Sequence, residues 1–247
     1  MAIAIPLDKI PVYGSENLPD KNSDLKKGAM FLINKPLEWS SFDVVKFLRK
    51  RIRVKKTGHA GTLDPLATGL LILCCGKATK SISLIQDLPK TYIAEITFGK
   101  YTDTYDAEGE VSEEAAWEHI TREDIEKVLK SQFSGTVNQV PPMYSALKYG
   151  GKKLYELARK GEEVERPPRQ VTFHKHEILN FEPPKLELKT ECSKGTYIRS
   201  LARDLGEALN SKGYLSGLVR TNIGHYSVEQ ALHPHEMADR LKEIWES

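Results

Sequence analysis

Residues 58–69 read GHAGTLDPLATG, with three glycines, one proline and a single carboxylate, Asp64. Glycine and proline are poorly tolerated inside helices and central strands, so this composition predicts a shaped loop. A basic segment precedes the loop and an apolar run, residues 70–75, follows it. We therefore expect one carboxylate presented at the edge of a buried strand, beside a positively charged surface. The alternative is a plain connection whose aspartate caps its own backbone.

The basic segment before the loop predicts an amphipathic helix. Ser40 can cap its first turn, and Phe42, Val45 and Leu48 recur at helical spacing, which predicts a buried face. Residues 46–56 carry seven basic side chains and no acidic one. Such an excess of positive charge is typical of a surface that binds a polyanion, although charge runs also serve solubility alone.

The apolar run after the loop predicts a strand that is buried on both faces. Cys74 and Cys75 lie in it, and we expect them to be core thiols rather than nucleophiles. Gly76 and Lys77 resemble the end of a phosphate-binding loop. The upstream glycine that this motif requires is replaced by Leu71, which excludes a nucleoside-triphosphate site.

The sequence of the loop closely resembles the catalytic motif of the TruB-type tRNA pseudouridine synthases. In that family the aspartate of this motif is catalytic, so the resemblance implies this role for Asp64. Further segments agree with the family: KTY (90–92), TDTYDAEG (102–109), QVPPMYSALK (139–148), GTYIR (195–199) and GLVRT (217–221). The implied activity is isomerisation of uridine 55 in the T-loop of tRNA, after the target nucleotide has been flipped out, with neither a cofactor nor a metal.

The resemblance also implies which side chains contact the target base. Tyr92, Tyr197 and Leu218 would pack against it, and His59 would fill the gap that the extruded nucleotide leaves. From the residues alone, Tyr92 is either a core aromatic or a stacking platform, and Tyr197 is an aromatic at a helix start.

Charged side chains complete the implied site. Arg199 would pair with Asp64, and Asp106 would orient a basic side chain. Arg220 would lie on the RNA side. Lys35, at the end of a short apolar strand, would support the site, with a plain surface lysine as the alternative.

Two patterns that could bind a metal fail. An EF-hand loop would need oxygen ligands where Tyr105 and Ala107 stand, which excludes calcium. His174 and His176 could line one face of a strand, but no third ligand lies nearby, so we do not expect zinc.

Composition limits the partners and the compartment. The 247 residues include 36 basic and 34 acidic ones, so the net charge is only +2 and any RNA-binding surface must be local. Three cysteines without C-x-x-C spacing favour a reducing cytosol. No apolar run approaches the ~20 residues of a membrane span, and the first residues lack the positive region of a signal peptide. We expect a cytoplasmic monomer that binds the T-stem-loop of tRNA and no membrane.

Strands and helices that alternate without βαβ spacing predict an α+β fold. The resemblance implies the pseudouridine synthase fold, a central curved mixed or antiparallel sheet flanked by helices. We expect an N-terminal extension over residues 1–27 and a catalytic domain over 28–247. The latter would end in a short helix at 235–245, with no room for the PUA-type RNA-binding domain that many relatives carry.

Two other functions compete with the RNA isomerase. The same fold could hold tRNA without turnover, as a binding module. A carboxylate hydrolase would need a second acid as general acid, and Asp106 is the nearby candidate in the sequence.

Overall fold

A computed structural model gives the structure of residues 4–247. The strands are β1 (Val12–Tyr13), β2 (Ala29–Lys35), β3 (Thr57–His59), β4 (Ala67–Cys75), β5 (Lys90–Phe98), β6 (Lys100–Thr102), β7 (Val111–Glu114), β8 (Gly135–Gln139), β9 (Lys148–Tyr149), β10 (Lys152–Lys153), β11 (Arg169–Glu182), β12 (Lys185–Cys192), β13 (Gly213–Ile223) and β14 (Tyr226–Ser227). The α-helices are α1 (Ser41–Ile52), α2 (Ile82–Asp87), α3 (Arg122–Gln132), α4 (Leu154–Ala158), α5 (Ile198–Ala208) and α6 (Pro234–Glu246). These elements confirm the expected α+β class.

The chain forms two compact units. The first contains the residues up to Tyr92 together with Val219–Ser247, and the second contains Ile93–Leu218. Strands β5 and β13 each have residues in both units.

The first unit is built around strand β4. The strand order is β1-β2-β4-β13, with β3 also paired to β4 and β14 to β13. Strand β1 runs parallel to β2, whereas β2 and β3 both run antiparallel to β4, so the sheet is mixed. Leu71, Leu73 and Cys75 face a core that includes residues of α1 and α6, while Leu70, Ile72 and Cys74 face a second apolar cluster. The prediction of a strand buried on both faces is therefore confirmed.

Helix α1 begins as the sequence predicts, but one of its apolar residues points outward. The Ser40 side chain accepts a hydrogen bond from the amide of Asp43, and the Asp43 carboxylate accepts one in return from the Ser40 amide. The buried face consists of Val44, Val45, Leu48 and Ile52, together with Ser41. Phe42 lies on the flank of that face and is 63% exposed, so its predicted burial is wrong.

The second unit has the strand order β13-β5-β12-β11-β8. Strands β11 and β12 form a long antiparallel hairpin, and β8 pairs antiparallel with β11. Helix α3 begins at a capping box, in which the Thr121 side chain accepts from the Asp124 amide and the Asp124 carboxylate accepts from the Thr121 amide. Helix α5 buries an apolar face made of Ile198, Leu201, Ala202 and Leu205.

The N-terminal segment takes part in the first unit. Val12 and Tyr13 pair with Met30 and Phe31, and Ile10 and Leu25 are buried. Residues 1–3 of the expected extension lie outside the described residues, and its boundary at residue 27 stays a prediction. Across residues 4–247, no helix combines the length and the apolar character that crossing a bilayer requires. The cytoplasmic location and the monomeric state stay predictions.

Candidate active site

The loop over residues 58–69 connects two paired strands. Gly58 and His59 at its start belong to β3 and lie opposite Cys74 and Leu73 of β4. Residues 67–69 at its end are the first residues of β4. Gly69 has φ = +99°, and a Cβ atom added there would lie 2.3 Å from the carbonyl oxygen of Arg220. Only glycine fits this position, because both the backbone angle and the neighbouring strand exclude a side chain.

Arg220 holds this loop from inside the first unit. Its side chain is 1% exposed. Nε donates to the Leu70 carbonyl at 2.8 Å, Nη2 to that of Gly61 at 3.3 Å and Nη1 to that of Thr62 at 3.4 Å. The planar guanidinium suits such a fork of acceptors. The side chain is thus buried and bonded to the loop backbone, and the expectation that Arg220 lies on the RNA side stays a prediction.

Lys35 and Ser41 hold the other side of the loop. Lys35 is 0% exposed, and its Nζ donates to the carbonyls of Trp39 at 2.5 Å and Pro65 at 3.4 Å. The buried Ser41 hydroxyl donates to the Leu63 carbonyl at 3.0 Å and accepts from the Leu63 amide at 2.8 Å. The surface-lysine alternative for Lys35 is therefore wrong, and the side chain supports the loop.

Asp64 lies between these anchored residues. Its carbonyl accepts from the Ala67 amide at 3.0 Å, which closes a tight turn over the residues that follow it. Asp64 itself is half-buried. The backbone is thus fixed on both sides of the carboxylate.

His59 and Tyr92 also belong to the first unit, and both are half-buried. Burial lowers the pKa of His59, and the nearby charge of Arg220 lowers it further. Burial therefore favours the neutral form of the imidazole. Lys90, two residues before Tyr92, is buried and donates to the carbonyls of Gln86 and Leu88, which fixes the start of β5.

The second unit contains a buried pair made of Asp106 and Arg199. Asp106 is 2% exposed and Arg199 is 7% exposed, with Nε of the arginine 3.6 Å from Oδ2 of the aspartate. Asp106 Oδ1 accepts from the Thr104 hydroxyl at 2.5 Å and from the Glu108 amide at 3.0 Å. Arg199 also donates to the Tyr144 carbonyl at 2.9 Å. Asp106 thus pairs with Arg199. Its role in the site and the pairing of Arg199 with Asp64 both stay predictions.

Gln139 is a residue of the second unit that the sequence analysis did not assign. Its side-chain oxygen accepts from the Tyr197 amide at 2.8 Å, and its side-chain nitrogen donates to the Tyr197 carbonyl at 3.0 Å. The Ser200 hydroxyl donates to the Val140 carbonyl at 2.8 Å. The segment from 139 to 144 therefore fixes the beginning of α5. The only signal in the sequence was the QVPPMYSALK segment, because nothing local shows which backbone the glutamine binds.

The remaining predicted residues lie as follows. Tyr197 and Leu218 are half-buried residues of the second unit. His176 bonds through Nε2 to the Phe133 carbonyl at 2.7 Å. In the part of the chain that the structure describes, no group of three or more His, Cys, Asp or Glu side chains could hold a metal ion.

Sequence comparison identifies related proteins. Residues 49–198 match the family described as TruB family pseudouridylate synthase (N terminal domain). The chain is 48% identical over 222 residues to the tRNA pseudouridine synthase B of Bacteroides fragilis, which covers 87% of this chain and 95% of that protein. The protein of the same name from Parabacteroides distasonis is 48% identical over 226 residues, or 89% of this chain and 96% of the relative.

Structural comparison gives the same fold. A chain in the crystal structure of a Cbf5-Nop10-Gar1 complex superposes with a TM-score of 0.71 at 25% sequence identity. The match covers 95% of this chain and 60% of that chain, so the present chain spans less than two thirds of its length. The expected pseudouridine synthase fold is confirmed.

Proposed function

This chain belongs to the TruB family of pseudouridylate synthases, and we propose that it isomerises uridine 55 in the T-loop of tRNA to pseudouridine, with Asp64 as the catalytic carboxylate. The enzyme class, a pseudouridine-forming isomerase, follows from membership of the family. The tRNA substrate is that named for the relatives from Bacteroides fragilis and Parabacteroides distasonis. The uridine position and the residue roles rest on the motif resemblance.

The reaction needs a carboxylate near the ribose. The bond between C1′ and N1 of uracil breaks, the freed base rotates, and C1′ forms a bond to C5, which gives up its proton while N1 gains one. A carboxylate can attack C1′ as a nucleophile, or stabilise the positive charge that develops there and act as a base. Both roles remain open for Asp64.

One observation carries the proposal: Asp64 stands in a loop whose neighbouring residues are all held by buried side chains. Arg220 binds the carbonyls of Gly61 and Thr62, Ser41 binds Leu63, and Lys35 reaches Pro65. A reacting group fixed in this way loses little freedom when the substrate binds, and such positioning can lower a barrier by several kcal/mol. A plain connecting loop has no need of two fully buried cations.

Base flipping is proposed from the motif resemblance and from the chemistry of the side chains that it implicates. A target uridine inside a folded loop must leave its stack, at a cost of a few kcal/mol. Tyr92, Tyr197 and Leu218 are half-buried side chains that would offset this cost by contact with the base. His59 would occupy the vacated space, and its lowered pKa suits a neutral ring that stacks between bases.

The contacts of Asp106 weigh against the hydrolase alternative. A general acid must donate a proton, whereas both oxygens of Asp106 face donors or positive charge, from Thr104, Glu108 and Arg199. We assign Asp106 the positioning of Arg199. Release of free uracil would be the sign of a hydrolase instead.

The test uses an unmodified tRNA transcript. Wild-type protein should form pseudouridine at position 55, detected by chemical labelling and primer extension. Asp64→Asn should form none yet bind the transcript with near wild-type affinity. A transcript with cytidine at position 55 is the control for the site. If the wild type binds this RNA without forming pseudouridine, the binding-module alternative replaces the proposal.

A further inference from the structure

A cavity of about 760 Å³ opens on the first unit beside helix α1. The residues that line it are Glu38, Trp39, Asp43, Lys46, Phe47, Lys50 and Arg51. Five of them lie on α1 at spacings of three and four, so they share one face of the helix. None of these side chains has a role in the chemistry proposed for Asp64.

The floor of the cavity is aromatic. Trp39 and Phe47 have ring centroids 5.4 Å apart in an edge-to-face arrangement, and His235 of α6 packs on both rings, 5.7 Å and 4.7 Å away. Both Trp39 and Phe47 rest on the core cluster yet are only half-buried. A ring held by the core on one side and open on the other offers a stacking surface to a planar group.

The rim of the cavity is positively charged. Lys46, Lys50 and Arg51 are exposed, and none forms an ion pair with an acidic side chain among residues 4–247, although the charge of Lys46 adds to the Ser40 hydrogen bonds in lowering the pKa of Asp43. Asp43 is engaged at the helix start, where its carboxylate accepts from the amide and the hydroxyl of Ser40 at 3.0 Å and 2.5 Å. Unpaired cations beside an open aromatic surface match the two halves of a nucleotide, its phosphate and its base.

The cavity is joined to the Asp64 loop through the backbone. The Trp39 carbonyl and the Pro65 carbonyl both accept from Nζ of Lys35, at 2.5 Å and 3.4 Å. The Glu38 amide donates to the same Pro65 carbonyl at 2.9 Å. The same buried lysine therefore holds both the backbone beside the cavity and the Asp64 loop.

We propose that this cavity binds a second, unpaired nucleotide of the RNA substrate, with its base on Trp39 and Phe47 and its phosphates near Lys46 and Lys50. The proposal rests on the proposed function, because it takes tRNA as the substrate. An acidic protein segment would use the cations but would gain nothing from the aromatic floor.

The first test measures the affinity of the full chain for a tRNA transcript as a function of salt. Trp39→Leu should weaken binding about tenfold, whereas Trp39→Phe should keep most of the affinity, because stacking tolerates any aromatic ring. The double variant Lys46→Gln, Lys50→Gln should weaken binding and reduce the slope of log K against log salt by about 1.5. Lys127→Gln, Lys130→Gln on the exposed face of α3 is the matched control for lost charge.

The second test is ultraviolet cross-linking of the wild-type complex, which should join the RNA to the peptide that contains Trp39 or Phe47. This readout does not depend on the folding of any variant. Wild-type affinity in Trp39→Leu, or equal losses in the two double variants, would overturn the proposal. The proposal would also be overturned if polyglutamate displaced the tRNA transcript as effectively as unlabelled RNA does, because that result would indicate an acidic protein partner. If the cavity binds RNA but no pseudouridine forms, only the proposed activity fails.

Discussion

Replacing Arg220 by lysine would show whether this residue holds the loop around Asp64 or contacts RNA. The arginine donates to three carbonyl oxygens, those of Gly61, Thr62 and Leu70. Lysine keeps the positive charge but has a single ammonium group, which cannot span the fork. We expect it to retain one acceptor and to leave the Gly61 and Thr62 carbonyls without their donor.

The size of the effect follows from these contacts. Hydrogen bonds from a charged donor contribute about 1.5–3 kcal/mol each, and the two lost bonds, at 3.3 Å and 3.4 Å, belong at the lower end. The free energy of unfolding should therefore fall by about 3 kcal/mol. A shift of the Asp64 backbone by about 1 Å would lower kcat by up to about 100-fold.

The assay measures kcat and KM on a tRNA transcript, together with the urea midpoint of unfolding. Arg220→Lys should lose kcat and stability while KM changes little. Arg240→Lys, whose parent residue forms an exposed ion pair with Glu236, is the control for the exchange itself. If KM rises while kcat and the midpoint stay at wild-type values, Arg220 contacts RNA and the reasoning from its burial is refuted.

Two further predictions concern stability. Gly69→Ala should destabilise the protein more than Gly61→Ala. Both glycines have a similar positive φ, +99° and +97°, so the backbone strain is alike. The new Cβ would lie 2.3 Å from a backbone oxygen at position 69, but 3.6 Å from a flexible guanidinium at position 61. Equal shifts of the urea midpoint would contradict this. Burial lowers the pKa of His176 below its usual 6.5. As the pH falls, this histidine is therefore protonated in the unfolded chain before it is protonated in the folded protein. The stability from this group is complete above pH 6.5 and is lost as the pH falls below it, and His176→Gln should flatten the decline. A wild-type urea midpoint that stays level from about pH 7 to 5 would refute this.

Local signals predicted the local structure. Ser40 marked the start of α1, because a helix cap depends only on residues within the first turn. The continuous apolar run predicted β4, because its even and its odd side chains both had to be buried. The predicted burial of Phe42 was wrong because burial depends on tertiary packing and not on local sequence alone. Helical spacing shows that an apolar stripe exists, but the packing partners decide which of its edges is covered.

The anchors of the candidate site could not be predicted from spacing. Arginine and lysine are usually exposed, so spacing alone left a surface position open for Lys35, although the resemblance implied that it supports the site. The resemblance placed Arg220 on the RNA side, and nothing local indicated that its side chain would be buried. The burial of both side chains depends on carbonyl oxygens that turn inward only once the loop has formed. The contact of Gln139 with the Tyr197 backbone likewise joins distant parts of the chain. The motif resemblance indicated which segments matter, and the structure added what their side chains bind.

The fixed backbone around Asp64 has a consequence for association with RNA. The residues beside the carboxylate are immobilised as the polypeptide folds, so docking demands almost no rearrangement from this side of the encounter. The distortion then falls mainly on the nucleic acid. Nucleotides that already leave their stack easily should consequently react fastest.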